Sequence, residues 1–301
     1  MTAPAETTET TETTETTGTV AAPPVRPRAG FWYWIAGVLA ALVFLIPLGW
    51  ALIRSLLPSS LISAAPSWSD FSHLSLSNYS GVFGAQVHLW RYVLNSLFVA
   101  GLASVLVALL STLAGYGFAR FRFIGSGWVF GLILLTLMVP FQAVLTPLFL
   151  ELNAMHLTDS RIGLALFYTT FNLPFGVFVM RNTFAMVPQS LEDSAYIDGC
   201  GTFRTLVYVL RPMVLPGVAT TVLYAFLASW TDFLGALTFI TRSDRLTLPV
   251  ELLNIEVGTQ GQVDYGLLTA GAVVAMVPCV VLYIALQRYY VRGLASGAVK
   301  G

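Results

Sequence analysis

An all-α, polytopic membrane protein with about six transmembrane helices is the fold class that this sequence predicts. Its composition and its long apolar runs support that class. Apolar residues make up 56% of the chain and charged residues only 10%, whereas a soluble domain carries roughly 25% charged residues. So few charges cannot solvate the surface of a soluble protein of this length. The formal net charge of zero argues against nucleic acid as a partner.

The six apolar runs each reach the length of about 20 residues that a bilayer-spanning helix needs. They cover Phe31–Leu57, Arg91–Ala119, Gly127–Leu150, Ile162–Ala185, Pro212–Phe239 and Tyr265–Gln287. The first run is longer than the apolar region of a signal peptide, which is roughly 7 to 15 residues. A cleaved signal stays open as the alternative there, because Ser63-Ala64-Ala65 looks like a cleavage site. Prolines inside several runs predict bent, interlocked helices.

The chain divides into a tail and a membrane domain. Residues 1–29 repeat Thr and Glu and then carry three prolines, so we predict a disordered cytoplasmic tail. We predict that residues 30–301 form a six-helix transmembrane domain. With the N-terminus inside, ten basic residues fall on inner segments and five on outer ones, which predicts both termini in the cytoplasm.

The inner segment at about residues 188–211 is the most informative part of the chain. Ser190 and Asp193 have the spacing of a helix capping box, and Gly199 and Gly201 then interrupt the helix. A second amphipathic piece follows, with Phe203, Leu206, Val207 and Leu210 at helical spacing. We predict a cytoplasmic helix-turn-helix of a shape that suits docking into a groove on another protein.

This segment resembles the coupling loop of ABC importer permeases. The family pattern of Glu-Ala-Ala, three residues and Gly corresponds to Asp193-Ser194-Ala195 and Gly199, with Arg211-Pro212 where Leu-Pro is usual. Asp193, Ser194 and Arg211 depart from the pattern. Further stretches are similar to the carbohydrate branch of the family, specifically to the second membrane subunit of the maltose system. They are Gly115–Phe123, Leu173–Arg181, Trp230–Phe233, Gln287–Gly293 and Gly297–Gly301.

The resemblance implies a permease subunit in a bacterial-type plasma (inner) membrane that moves a sugar or oligosaccharide. It implies a second homologous permease, an ABC ATPase dimer that binds the ATP, and an extracytoplasmic binding protein. This chain itself would bind no cofactor. The residues expected to couple it to the ATPase are Asp193, Ser194, Ala195, Asp198, Gly199 and Arg204. The 246–264 stretch resembles the loop that reaches into the binding protein, and the 297–301 tail resembles one that enters the ATPase interface.

Polar residues inside the predicted spans are candidates for the solute path, because such residues are costly in a bilayer and often line a pathway. Trp230 and Asp232 could offer a sugar an aromatic face and a carboxylate. Asn95 and Asn172 could equally form hydrogen bonds between helices. The candidates are Asn95, Gln142, Thr146, Asn172, Tyr224, Trp230 and Asp232.

Other classes of function fit the sequence less well. The three histidines are scattered, and no Gly-rich loop with Gly-Lys-Ser/Thr occurs, so no catalytic or metal site is predicted and ATP hydrolysis must reside in another chain. A stand-alone secondary transporter remains the alternative, although an inverted repeat is not evident. A passive membrane scaffold would leave the amphipathic helix-turn-helix unexplained.

Overall fold

The structure is a computed structural model that describes residues 31–62, 68–84, 87–258 and 263–297. The predicted tail, residues 1–29, and the last residues, 298–301, therefore lie outside the described residues. The chain forms two units, the first ending at Pro47 and the second beginning at Leu48.

Helices dominate the described residues, among which no strand occurs. The helices are α1 (Phe31–Ser55), α2 (Ser59–Ile62), α3 (Ser77–Phe83), α4 (Leu89–Arg120), α5 (Ser126–Thr136), α6 (Phe141–Ala154), α7 (Arg161–Ala185), α8 (Ser190–Ile197), α9 (Thr202–Arg204), α10 (Arg211–Thr231), α11 (Leu234–Phe239), α12 (Leu248–Val257) and α13 (Tyr265–Gly297). Within the described residues, five helical stretches are long and apolar enough to cross a membrane, and there are six if the bent pair α5–α6 forms one span. The predicted all-α, polytopic membrane class is confirmed.

The first unit contributes the greater part of α1, from Phe31 to Pro47. Its large apolar side chains are exposed, including Trp32, Trp34 and Phe44. A helix that is apolar on all sides is expected to face lipid or another membrane chain.

The third predicted span is not one straight helix. The structure divides Gly127–Leu150 into α5 and α6, which meet at an angle of 100°. Pro140 stands at the break with extended backbone angles, φ −65° and ψ 125°. It has no N–H to continue the helical ladder, and the residues before it close the helix with short-range bonds such as Val139 N to Thr136 O at 3.2 Å. The fifth predicted span also ends early, because α10 stops at Thr231 and α11 follows after a two-residue break.

The core of the second unit is the packing of α4 along α7 and α10. Glycines bring these helices close together. A Cβ atom placed on Gly176 of α7 would lie 2.9 Å from Ser111 Cβ of α4 and 3.0 Å from Thr221 Cγ2 of α10. One on Gly115 of α4 would lie 2.6 Å from Met180 Cβ of α7. Small residues therefore set the helix spacing, as is common in membrane bundles.

The stretch 246–264, predicted as a polar loop, contains the helix α12. Leu248, Val250 and Ile255 of α12 are buried against the ends of the long helices. Residues 259–262 lie outside the described residues. Glu251 and Glu256 make this stretch polar in sequence, whereas Leu248, Val250 and Ile255 give α12 a buried apolar side.

Candidate functional site

The predicted coupling segment forms two short helices joined at a glycine. The helix α8 spans Ser190–Ile197, and Gly199 then adopts a positive φ of 79°, which favours glycine. Asp193, Ser194, Asp198 and Arg204 project into the open and are exposed, as is Gly199 itself, whereas the Ala195 side chain is buried. The predicted helix-turn-helix geometry is thus present, and its coupling role stays a prediction.

The predicted capping box is absent. Gln189, and not Ser190, precedes the first residue of α8, and no side chain caps the helix. The Ser194 hydroxyl donates to Ser190 O at 2.8 Å, and the backbone N–H of Asp193 is satisfied by Gln189 O at 3.1 Å. The backbone before α8 already turns helically, so the Asp193 carboxylate is not needed as a cap and faces outward.

The second half of the segment is continuous with a membrane span. From α9 the chain passes through a π-helical turn, Thr205–Leu210, directly into α10. The whole stretch Thr202–Thr231 counts as one span of 30 residues. Gly201, predicted to break the helix together with Gly199, has a negative φ of −76°. Only Gly199 requires the left-handed region here.

An apolar cluster holds the underside of the segment. Val187, Leu210 and Val214 pack with Tyr116 of α4 and with Met180 and Phe184 of α7. Phe184, Met180 and Leu210 are fully buried. Of the predicted amphipathic stripe, Leu206 and Leu210 face this cluster, while Phe203 is exposed. The segment is therefore seated on three membrane helices.

A buried ion pair lies within this seat, and sequence reasoning missed it. Arg120 Nε of α4 pairs with Glu192 Oε1 of α8, and the two side chains are only 12% and 5% exposed. Tyr116 donates to Glu192 Oε2 at 3.1 Å, and Arg120 Nη2 donates to Val187 O at 2.8 Å. Glu192 stands beside the motif residues. The sequence offered one signal for it: this acid lies three residues before Ala195, on the same face of the helix, and that face is the buried one.

Asn95 occupies a hub at the opposite end of the same helices. Its Nδ2 donates to Asp244 O at 3.1 Å and to Leu246 O at 2.9 Å, and its Oδ1 accepts from Arg161 Nη1 at 2.9 Å. Asn95 is buried. All of its amide groups are engaged within the chain, which matches the packing alternative considered for it. A role in the solute path stays a prediction.

Charged residues cluster around Asn95, at the end of the second unit that lies away from α8. Arg242 donates two hydrogen bonds to the Asp244 carboxylate, at 3.0 and 3.1 Å, and this contact lowers the pKa of Asp244. Asp159 accepts from the backbone N–H groups of Thr241 and Arg242 at 3.1 and 3.0 Å. In α12, partial burial raises the pKa of Glu251.

Three of the predicted path residues lie in or beside packed regions. Trp230 is buried and donates from Nε1 to Ala275 O of α13 at 3.1 Å. Asp232 Oδ2 accepts from the Tyr168 hydroxyl at 2.7 Å and from Gly235 N at 2.8 Å, so this carboxylate caps α11. Asn172 is buried and donates to Tyr168 O at 2.8 Å. The structure does not place Trp230 and Asp232 on one open face.

The remaining candidates are accessible. Gln142 and Thr146 are exposed on α6. The Tyr224 ring, which is 42% exposed, lies against Phe175 of α7 with the ring centroids 3.9 Å apart. An accessible aromatic pair of this kind can stack on the face of a sugar. No group of metal-ligating side chains occurs among the described residues.

The profile of the family described as binding-protein-dependent transport system inner membrane component matches residues 109–296. That range includes the seated helix-turn-helix and most of the core. The chain belongs to this family. The permease is thus a multi-pass membrane transport subunit and not an ATP-hydrolysing enzyme.

Curated relatives cover nearly all of the permease. The probable ABC transporter permease protein of Bacillus subtilis (strain 168) is 31% identical over 268 residues, covering 89% of this chain and 88% of the relative. The trehalose transport system permease protein of Mycobacterium tuberculosis (strain CDC 1551 / Oshkosh) is 32% identical over 277 residues, covering 91% and 98%. The arabinooligosaccharides transport system permease protein of Bacillus subtilis is 30% identical over 266 residues, covering 88% and 93%.

A solved structure shares the fold. A chain from the crystal structure of a bacterial ABC transporter involved in the import of the acidic polysaccharide alginate matches with a TM-score of 0.73 at 20% identity, covering 89% of the permease and all of that chain. The predicted family resemblance is confirmed. Family membership implies that the permease works with a second permease, an ATPase and a binding protein.

Proposed function

We propose that the permease forms half of the translocation path of an ATP-driven, binding-protein-dependent importer for a sugar or oligosaccharide. The relatives named for trehalose and arabinooligosaccharide transport support this class of solute. The accessible Tyr224–Phe175 pair offers an aromatic face, and Gln142 and Thr146 on α6 offer exposed polar groups, which are the kinds of group that sugars bind.

The observation that carries the proposal is the two-sided character of α8. Its underside, at Glu192 and Ala195, is buried against the membrane helices. Its opposite side, at Asp193 and Ser194, is exposed. A short helix held firmly on one side and free on the other fits an element that docks into a cleft of an ATPase and passes its movement to the membrane domain.

The proposed arrangement has both termini and the 188–211 segment in the cytoplasm. Two ATPase subunits then bind ATP and close, and one of them moves the segment. An extracytoplasmic binding protein delivers the solute at the Asn95 end, where the charged stretch Thr241–Arg245 lies. Since the sequence holds no Gly-rich loop with Gly-Lys-Ser/Thr, the energy of ATP hydrolysis reaches the path through contact with the ATPase, and the 188–211 segment is the main contact proposed.

Uptake in proteoliposomes tests the proposal. Vesicles hold the permease with its candidate partner permease and ATPase, the binding protein is added outside, and a panel of radiolabelled sugars is offered with and without ATP. We expect uptake that needs every component. Asp193→Lys should abolish it while the complex still assembles, and Asp193→Glu, which keeps the charge, should retain it. Uptake by the permease alone without ATP would instead establish a secondary transporter.

A further inference from the structure

We propose that the ion pair between Arg120 and Glu192 is the link that transmits movement of α8 to α4, which makes both side chains positioning residues for coupling. The inference rests on the proposed function, in which the 188–211 segment docks on the ATPase. It concerns two side chains that are buried beneath the proposed docking surface.

Besides the apolar cluster beneath it, α8 has two connections through which its movement can reach the membrane helices. The first is the chain itself, which runs from α8 through Gly199 into the helix that continues as α10. A glycine with a positive φ of 79° and open space around it is a turn that transmits force poorly. The second route is the side-chain contact across to α4, and it does not pass through the turn.

The contact to α4 is built to resist sliding. The Arg120 guanidinium holds the Glu192 carboxylate and, with Nη2, the Val187 carbonyl just before α8. Tyr116, one turn earlier on α4, holds the second oxygen of Glu192 at 3.1 Å. Arg120 and Tyr116 of α4 therefore hold both the Glu192 carboxylate and the Val187 carbonyl through directional, charge-assisted hydrogen bonds. Apolar contacts alone would allow α8 to shift along the surface, whereas a buried pair fixes one register.

Movement of α4 in turn reaches the rest of the bundle. Close to the ion pair, Gly115 brings α4 against Met180 of α7 so closely that an added Cβ would lie 2.6 Å from Met180 Cβ. At the far end of α4, Asn95 holds Arg161 of α7 and the backbone at Asp244 and Leu246. A shift of α4 that begins at Arg120 thus acts on both ends of the bundle.

The first test compares ATP hydrolysis with uptake in the assembled complex. The variants are Glu192→Gln, Arg120→Met and the charge-preserving Arg120→Lys. Arg122→Met is the matched control, since Arg122 is exposed and lies two residues from Arg120. We expect Glu192→Gln and Arg120→Met to raise the ATP consumed per solute about fivefold or more, the lower bound of typical coupling between sites. Arg120→Lys should recover part of the coupling, and Arg122→Met should match the unaltered permease.

A structural role alone would give a different result. If the pair only supports folding, the variants will lower the amount of assembled complex, or will lower hydrolysis and uptake in proportion, and the ratio of ATP to solute will not change. Either result overturns the proposal. Recovery by Arg120→Lys of the ratio, and not merely of the protein level, is the readout that a folding role would not produce.

The second test follows the link itself and needs no solute. Spin labels are placed on exposed positions of the two helices, Leu113→Cys in α4 and Ile197→Cys in α8, after replacement of Cys200 and Cys279 by alanine. We expect one narrow distance in the purified complex, unchanged by a non-hydrolysable ATP analogue, and a broad distribution once Glu192→Gln is added.

The two tests separate the link from the function. A label distance that changes with nucleotide in the unaltered pair, or one that Glu192→Gln leaves narrow, overturns the link even when uptake is ATP-driven. Absence of ATP-driven uptake with a narrow, variant-sensitive distance overturns the proposed function and leaves the link between α8 and α4 supported.

Discussion

Arg161 Nη1 donates a 2.9 Å hydrogen bond to Asn95 Oδ1, and this contact ties the first turn of α7 to the second turn of α4. The amide of Asn95 uses its other side to hold the backbone at Asp244 and Leu246. One buried side chain thereby joins three separate parts of the chain at the end of the bundle far from α8.

Replacing Asn95 with leucine should destabilise the permease by about 2 kcal/mol, because two carbonyls and a guanidinium would lose their partner in a buried site. Thermal unfolding of the purified protein in detergent measures the effect. Asn153→Ala is the control, since Asn153 is exposed and its side-chain oxygen accepts a hydrogen bond from the half-buried Thr158 hydroxyl at the surface. Equal unfolding temperatures for the two variants would show that the hub contributes nothing.

Gly176→Val should destabilise the permease by about 1–3 kcal/mol through overpacking. Even the Cβ atom would lie 3.0 Å from Val107 Cγ1 and 2.9 Å from Ser111 Cβ, and the backbone of three packed helices would have to shift. The amount of folded protein in the membrane and its unfolding temperature report the change. Gly101→Ala in α4 is the contrasting variant, because an added Cβ there meets nothing within 4 Å.

The spans and the seated segment could be predicted from the sequence because they depend on local patterns. Apolar length marks the spans, and the glycine at 199 marks the turn. The break of the third span was missed, although Pro140 stands in it, because prolines in membrane helices are often tolerated and the sequence does not show whether neighbours satisfy the freed groups. Only the packing around Pro140 decides between a bend and a break.

The polar residues of the spans show the same limit. Trp230 and Asp232 look alike as candidates in the sequence. In the structure the Trp230 indole donates to a carbonyl of α13, whereas the Asp232 carboxylate caps α11. Glu192 stands next to Asp193 and was not singled out from the sequence, but helix periodicity turns it toward Arg120, 72 residues earlier. Spacing from Ala195 indicates that Glu192 faces inward, but its long-range partner follows only from the tertiary fold.

Gly199→Pro should uncouple ATP hydrolysis from transport while the protein stays in the membrane. Proline fixes φ near −65°, far from the observed 79°, and it removes the N–H that donates to Tyr196 O at 3.0 Å. The turn would reorient α8 without disturbing the spans. Gly201→Ala, at a φ of −76°, should leave the ratio of ATP to solute unchanged. Normal coupled uptake in the proline variant would contradict the docking role of the turn.

Glu251→Gln should stabilise the permease at neutral pH and reduce the gain in stability on acidification. Burial raises the pKa of Glu251 in the folded protein, so folding disfavours its charged form. This cost is absent below the unfolded pKa and is fully present above the raised folded pKa, and stability therefore falls as pH rises through that window. Unfolding temperatures between mildly acidic and neutral pH, compared with those of the exposed Glu256→Gln, would reveal it. Parallel pH profiles for the two variants would contradict the effect.

Because α9, the π-helical turn and α10 are continuous, the stretch Thr202–Thr231 can tilt as one helix. Thirty helical residues extend about 45 Å at 1.5 Å per residue, so a tilt of about 5° at one end displaces the other by about 4 Å. Near the far end, Trp230 is bonded to Ala275 of α13. A tilt of a few degrees that begins at Phe203 would therefore produce a larger displacement at the other end of the span, near Trp230, and would move α13 with it.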